Sequence, residues 1–245
     1  SYLASKSEAY LAFDKARQAV HQGDLAAADQ QIRTAIRQEP REPRFFGLQG
    51  EIAYENKQYL RAMAHYKTAL KIDPNYYEYY LGKGLVLYKL DRKQAAISDL
   101  KKSNQLLPNA VATHALGEIS LEQGNKSAAK EYFRAVMKGS GAQAETAKLQ
   151  FVKLDITANP QAYIDIQTLV RDQEIILKVT NSTPLEIKQM SIVINIESQG
   201  KSRQKTVSLN YLKGHQGKLL KTGIRPEPSI PIAIGTQIRA IHLSS

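Results

Sequence analysis

The chain has 245 residues, a formal net charge of +11 and 42% hydrophobic residues, which is enough chain for two compact domains with separate cores. No apolar run approaches the about 18 residues that a membrane-spanning helix needs, so we expect no part of the chain to lie within a bilayer. The absence of cysteine suits a periplasmic protein and many cytosolic proteins equally. Because the chain begins with Ser1 and lacks an initiator methionine, we expect a processed product or a fragment.

A fixed period organises the first two thirds of the sequence. Pro40, Pro74 and Pro108 stand 34 residues apart, and small or large apolar residues recur at constant offsets from them. A period of this length is typical of helix-turn-helix units that bury their apolar faces by stacking. The residues that share an offset are Ala28, Ala62 and Ala96, then Ile32, Tyr66 and Leu100, then Ala35, Ala69 and Ser103, and then Ala16, Gly50 and Gly84.

A fourth copy follows with a shift of one residue and without a closing proline. Gly117, Ala129 and Phe133 continue the glycine, alanine and large-residue columns. Turns between the two helices of a unit are predicted at Gly23-Asp24 in the first copy and at Gly124-Asn125 in the fourth. The predicted repeats are 9–42, 43–76, 77–109 and 110–142, and an amphipathic helix over 143–157 is predicted to cap the open end of the stack.

With these columns the chain resembles a tetratricopeptide repeat protein, and the resemblance implies an all-α superhelix. After Asn159-Pro160 the pattern changes to period-two runs rich in Ile, Val and Thr, with turn residues between them. Six or seven short strands predict a small antiparallel β-sandwich of immunoglobulin-like architecture. The fold class is therefore α plus β in separate domains, with the repeats in 1–158 and the β-sandwich in 159–245. The predicted strands are YIDIQTLV, EIILKVTN, EIKQMSIVINIES, KTVSLNYL, KLLKTGI and TQIRAIHL.

The segment Asn181 to Leu185, followed by a long alternating strand, is similar to the FxLYD-type bacterial β-sandwich modules, although the motif that names that family is missing. The sequence contains no run of five basic residues and no platform of aromatic and basic residues. We therefore expect no nucleic-acid partner, and a solvated basic face on the β-domain is favoured over an anionic surface as partner.

Signatures of catalysis are absent from the sequence. The five histidines are scattered, none of them lies in an HExxH or another metal-ligand spacing, and there is no cysteine nucleophile, GxSxG motif or phosphate-binding glycine loop. We therefore expect no catalytic residue, no metal ion and no cofactor on this chain. Recognition of another molecule is the remaining class of function.

The resemblance to tetratricopeptide repeats implies a concave groove lined by the first helix of each unit. Gly47, Glu51 and Leu81 occupy columns needed by the carboxylate clamp of chaperone-binding repeats, so a peptide with a C-terminal aspartate is not expected as the ligand. The groove should be centred near Tyr54 and Tyr88. The predicted partner-binding residues are Tyr10, Phe13, Arg17, Arg44, Glu51, Tyr54, Glu78, Leu85, Tyr88, His114 and Glu118.

Four tyrosines near the start of the third repeat form the densest aromatic cluster. They are predicted to pack at the junction of the second and third repeats, and the alternative is an aromatic anchor at the end of the groove. The members of this cluster are Tyr76, Tyr77, Tyr79 and Tyr80.

The stretch from Ser7 to Ala69 is similar to the repeat region that follows the catalytic domain in bacterial periplasmic HExxH zinc metallopeptidases of the β-barrel-assembly-enhancing type. That resemblance implies a non-catalytic module for protein or peptide partners at the C-terminal end of such an enzyme. The alternative is an envelope assembly factor for pili, secretion or outer-membrane biogenesis, with no linked enzyme. The expected location is the periplasm or cell envelope, with the cytoplasm as the alternative.

Overall fold

The structure, a computed structural model, describes residues 2–244, with side chains from residue 7 onward. In this range the first part of the chain forms helical hairpins and the second part forms β-strands, as the fold class predicted. The helices are α1 (Tyr2–His21), α2 (Leu25–Gln38), α3 (Pro43–Glu55), α4 (Tyr59–Ile72), α5 (Tyr77–Lys89), α6 (Lys93–Leu106), α7 (Ala110–Glu122), α8 (Lys126–Val136) and α9 (Ala142–Asp155).

Local sequence signals begin and end these helices. Gly23 and Gly124 end α1 and α7 in the left-handed region at φ 77° and 76°, where a glycine carries no steric penalty. The next residue in each case caps the following helix, since Asp24 accepts a hydrogen bond from the Ala27 amide and Asn125 accepts one from the Ala128 amide, both at 3.0 Å. The two predicted turns are therefore confirmed.

The two helices of each repeat approach closely because a small residue on the first faces a large residue on the second. A Cβ added to Gly50 would lie 2.9 Å from the Tyr66 ring, one on Gly84 would lie 2.9 Å from Leu100, and one on Gly117 would lie 2.7 Å from Phe133. In the first repeat Ala16 occupies the small position, and the large position holds Ile32, a smaller residue than Tyr66 or Phe133, in the same buried cluster. Glycine thus stands opposite the two aromatic rings, where an added methyl group would overlap the ring.

We expect Gly117→Ala to destabilise the helical part of the chain by about 1–3 kcal/mol, because the new methyl group overlaps the fully buried Phe133 ring. Helix propensity alone predicts the opposite sign, a gain of about 1 kcal/mol. Urea unfolding followed by circular dichroism at 222 nm measures the change.

The matched background is Phe133→Ile, which reproduces the alanine and isoleucine pair of the first repeat. In that background the added methyl group has room, so Gly117→Ala should cost nothing further. An equal loss of stability in both backgrounds would show that overlap with Phe133 is not the cause.

The chain divides into two compact units, Ser1–Ala147 and Lys148–Ser245. The boundary falls inside α9, whereas the sequence placed it after residue 158 and assigned this helix to the end of the repeat stack. Within the second unit Asp155, the last residue of α9, accepts hydrogen bonds from Tyr163 at 2.7 Å and Asn159 at 2.8 Å. The next residue, Ile156, is fully buried in the core of the β-strands.

The rest of the second unit consists of the strands β1 (Ile164–Arg171), β2 (Glu174–Asn181), β3 (Ile187–Ser198), β4 (Lys201–Leu212), β5 (Gly217–Lys221) and β6 (Ile232–Leu243). They form two three-stranded antiparallel sheets, in the orders β1-β2-β5 and β4-β3-β6. Ile164, Leu177 and Val179 of the first sheet share one core with residues such as Met190 and Ile194 of the second. β4 and β6 begin earlier than predicted, and the kinship of this unit to FxLYD-type modules stays a prediction.

The connection between the sheets is organised by a buried asparagine. Asn181 is fully buried and donates from its side chain to the carbonyls of Leu185 and Lys213, while its side-chain oxygen accepts from the amide and hydroxyl of Thr183. A buried polar side chain is stable when its hydrogen bonds are made in this way. This network fixes the crossing from β2 to β3.

Candidate partner-binding groove

The first helices of the first three repeats line a cavity of about 630 Å³. α1, α3 and α5 supply most of the wall because the first helices of successive repeats contact one another. One residue of α4, Tyr66, and one residue before α5, Tyr76, complete it. The lining residues are Phe13, Arg17, Val20, His21, Arg44, Gly47, Leu48, Glu51, Tyr54, Glu55, Tyr66, Tyr76, Tyr77, Glu78, Tyr79, Leu81, Gly82 and Leu85.

Seven of the predicted groove residues line this cavity together. They come from three different helices, which the repeat period brings to one surface. The seven are Phe13, Arg17, Arg44, Glu51, Tyr54, Glu78 and Leu85.

The other four predicted residues lie outside the cavity. Tyr10 is adjacent to it, since Arg44 donates a hydrogen bond to the Tyr10 hydroxyl at 2.9 Å. Tyr88 donates to Glu122 of α7 at 2.5 Å. His114 and Glu118 lie one turn apart on α7, with 4.0 Å between the histidine Nε2 and the carboxylate. The cavity is therefore centred on the first three repeats, nearer to Tyr54 than to Tyr88.

Sequence reasoning missed Tyr66 as a groove residue. Tyr66 was assigned to a buried column only, and its side chain is indeed 7% exposed, yet it also reaches the cavity. The sequence carried one signal for this: Gly82 has no counterpart in the repeat columns. A Cβ there would lie 2.6 Å from the Tyr66 hydroxyl oxygen, so the glycine makes room for the tyrosine.

The tyrosine cluster combines the two roles considered from the sequence, which are packing at the repeat junction and lining the groove. Tyr79 is buried at 3% exposure and packs edge-on against Tyr76, with 4.9 Å between ring centroids. Tyr76 and Tyr77 are half-buried and line the cavity. Tyr79 thus belongs to the junction of the second and third repeats, and Tyr76 and Tyr77 form an aromatic wall beside it.

Negative charge concentrates around Glu51 inside the cavity. Burial among the walls raises the pKa of the Glu51 carboxyl, and the charges of Glu55 and Glu78 raise it further. Arg17 and His21 of α1 act in the opposite direction but more weakly. The cavity therefore has an acidic centre.

Models of the tetratricopeptide repeat family match residues 13–77, 77–109 and 112–138, which together cover the helix pairs described above. The chain belongs to the tetratricopeptide repeat family. Tetratricopeptide repeat domains bind protein or peptide partners and are in general non-catalytic scaffolds. The prediction made from the proline period is confirmed.

Solved structures, two of them described as tetratricopeptide repeat proteins, share this fold at low sequence identity. PilF of Pseudomonas aeruginosa is 19% identical with a TM-score of 0.57, and the match covers 65% of this chain and 72% of PilF. A protein from Thermus thermophilus is 19% identical over 57% of this chain and 77% of its own, with a TM-score of 0.50. One from Parabacteroides merdae is 18% identical over 60% of each chain, also with a TM-score of 0.50.

A comparison with curated proteins gave no significant match. Over the described residues, the tetratricopeptide repeat helices and α9 include none that is both long and apolar enough to cross a membrane.

We expect Glu51→Gln to raise the melting temperature of the helical unit at pH 7. The folded state holds the Glu51 proton more tightly than the unfolded chain, so this contribution to stability is present below the ordinary glutamate pKa and is lost as pH rises through the raised value. The amide removes the charge that the fold tolerates poorly. Because Glu51 also reaches solvent, we expect a gain of about 1–2 °C, measured by circular dichroism.

The gain should disappear when the same melts are made below about pH 4, where Glu51 is protonated in both states. Glu131→Gln is the matched control, since it removes a carboxylate from an exposed ion pair with Arg134 and should not raise the melting temperature. A lower melting temperature for Glu51→Gln at pH 7 would contradict the assignment of an acidic centre.

Proposed function

We propose that this chain is a non-catalytic interaction module that binds a polypeptide segment of a partner in the cavity formed by α1, α3 and α5. The observation that carries the proposal is the convergence of aromatic, apolar and charged side chains from three successive repeats on one cavity. Phe13, Tyr54 and Leu85 offer apolar and aromatic surface, and Arg44 and Glu78 offer charge. Such a mixture suits the side chains and backbone of a peptide.

The cavity is lined by the first helices of three successive repeats, which favours a ligand that extends past more than one repeat. Its volume of about 630 Å³ accommodates several side chains of an extended or helical segment. Tyr54 and Tyr77 are only half-buried in the free protein, so their rings retain surface that a partner can cover. We propose them as the aromatic anchors of the complex.

Site-specific photo-crosslinking in cells tests this proposal, because it captures whichever polypeptide contacts the cavity. The photoreactive residue p-benzoylphenylalanine replaces Tyr54 or Tyr77 in the full chain, and cells producing the variant are irradiated. We expect a covalent adduct with another polypeptide from both positions, because each ring faces the cavity.

The matched control is the same residue at Leu60 or Leu107, which are 62% and 48% exposed and do not line the cavity. Adducts of the same mass and yield from the control positions, or none from the cavity, would overturn the proposal. Mass spectrometry of the adduct then identifies the partner segment.

For the cellular setting, we propose the periplasm or cell envelope, with this chain as the C-terminal part of a metallopeptidase of the β-barrel-assembly-enhancing type. The likeness of residues 7–69 to the repeats of those enzymes supports this. An HExxH helix encoded upstream of Ser1 is the expected finding. A lipobox signal directly before Ser1 would instead favour an envelope assembly factor with no linked enzyme.

A further inference from the structure

Three carboxylates that line the cavity have no cationic partner within the described residues. Glu51 and Glu55 lie on α3 and Glu78 lies on α5. None of them takes part in an ion pair within the described range, and Glu78 accepts a 3.1 Å hydrogen bond from the neighbouring Tyr77 hydroxyl. Carboxylates that converge without counter-charge repel one another, and this repulsion adds to burial in raising the pKa of Glu51.

The arginines of the cavity wall form no ion pair with these carboxylates. Arg44 donates from its Nε to Glu42 at 2.9 Å, and it also donates to Tyr10. The guanidinium of Arg17 lies 5.9 Å from the centre of the Phe13 ring on its own helix. His21 and Arg17 lower the pKa of Glu51 less than burial and the neighbouring carboxylates raise it, so the cations of the cavity offset the acidic centre only in part.

An independent observation points to a missing ligand at the same place. The Tyr66 side chain is 7% exposed and lines the cavity, but across residues 7–244 nothing forms a hydrogen bond with its hydroxyl. Its ring is held against α3 and α5, where Gly50 and Gly82 leave space for it. Because the hydroxyl is reached from the cavity and is not a fully buried atom, it is available to hydrogen-bond a bound group. Glu51 lines the same cavity as Tyr66, and after burial its charge is the next cause that raises the pKa of the Tyr66 hydroxyl.

The arrangement does not fit a metal ion. Over the described residues, no group of three acidic or histidine side chains is placed to hold one. Carboxylates spread over two helices, a hydroxyl acceptor and the Tyr54, Tyr76 and Tyr77 rings instead match a larger organic cation with several N–H groups. An arginine guanidinium has five such donors and a planar face that stacks on aromatic rings, and a lysine ammonium has three donors.

We propose that the cavity recognises a basic side chain, arginine in preference to lysine, presented by the partner polypeptide, with Glu51, Glu78 and Tyr66 as its direct contacts. This inference rests on the proposed function of the cavity as a polypeptide-binding groove. It specifies the chemistry of the segment that binds. The net charge of +11 repels a cationic peptide at long range, so any preference for one must come from a local acidic site.

The test uses the full chain and four pools of fluorescein-labelled nonapeptides with blocked ends. The central residue is Arg, Lys, Gln or Glu, and the flanking positions are mixtures of uncharged residues. Fluorescence anisotropy gives the dissociation constant of each pool. We expect the Arg pool to bind about tenfold more tightly than the Gln pool, as removal of a charge-assisted hydrogen bond predicts, and the Glu pool to bind most weakly.

Variants show which residues cause the preference for the Arg pool over the Gln pool. Glu51→Gln with Glu78→Gln should abolish the difference in affinity between the Arg and Gln pools. Tyr66→Phe keeps the ring and removes only the hydroxyl, so it should weaken the Arg pool about three- to tenfold without lowering the melting temperature. The matched control, Glu131→Gln with Glu145→Gln, removes two exposed carboxylates on α8 and α9 and should leave the preference intact.

The possible failures are distinguishable. Equal affinity of the Arg and Gln pools, with binding still weakened by Tyr54→Ala, overturns the preference for a basic side chain and leaves the polypeptide-binding groove standing. A preference that survives Glu51→Gln with Glu78→Gln also overturns it, because the cation then binds elsewhere. Absence of binding by every pool overturns the inference, and joined to an absence of crosslinks from Tyr54 and Tyr77 it overturns the proposed function as well.

Discussion

Within each repeat the two helices approach closely because a glycine or alanine on the first faces a large side chain on the second. The second repeat uses this contact for more than packing. Tyr66 fills the space left by Gly50 in its own repeat and by Gly82 in the next, so one ring joins two repeats and carries its hydroxyl to the cavity. The shape of the cavity therefore depends on Gly50 and Gly82, although neither has a side chain that could contact a ligand.

The same cavity combines features that reduce the stability of the free protein. Carboxylates from α3 and α5 raise the pKa of Glu51 by more than His21 and Arg17 lower it, and the Tyr66 hydroxyl, which is reached from the cavity, has no hydrogen-bond partner within the described residues. The rest of the helical unit shows that the chain can satisfy such groups, since Lys83 pairs with Asp99 at 3.2 Å on the helices of the third repeat. Unsatisfied groups gathered in one cavity are typical of a binding site, where the ligand completes the interactions.

The sequence predicted the repeats, their turns and seven of the cavity residues because all of these follow the 34-residue period. The prediction failed where a side chain of one repeat contacts the next repeat. Tyr66 occupies a core column, and only the unpaired Gly82 indicated that its ring continues into the next repeat. Tyr88 occupies the inward position, but its hydrogen bond to Glu122 holds it against α7 and away from the cavity. The early starts of β4 and β6 escaped prediction because those segments, Lys201 to Gln204 and Ile232 to Gly235, lack a clear alternation of apolar and charged residues.

The most direct test of the account is a crystal structure of the chain with a blocked nonapeptide that contains one central arginine. We expect the guanidinium to lie within about 4 Å of the Glu51 or Glu78 carboxylate and within hydrogen-bond distance of the Tyr66 hydroxyl. The peptide backbone should run along α1, α3 and α5 beside Tyr54. A peptide bound to the outer helices, or a central arginine that points into solvent while the cavity stays empty, would contradict it.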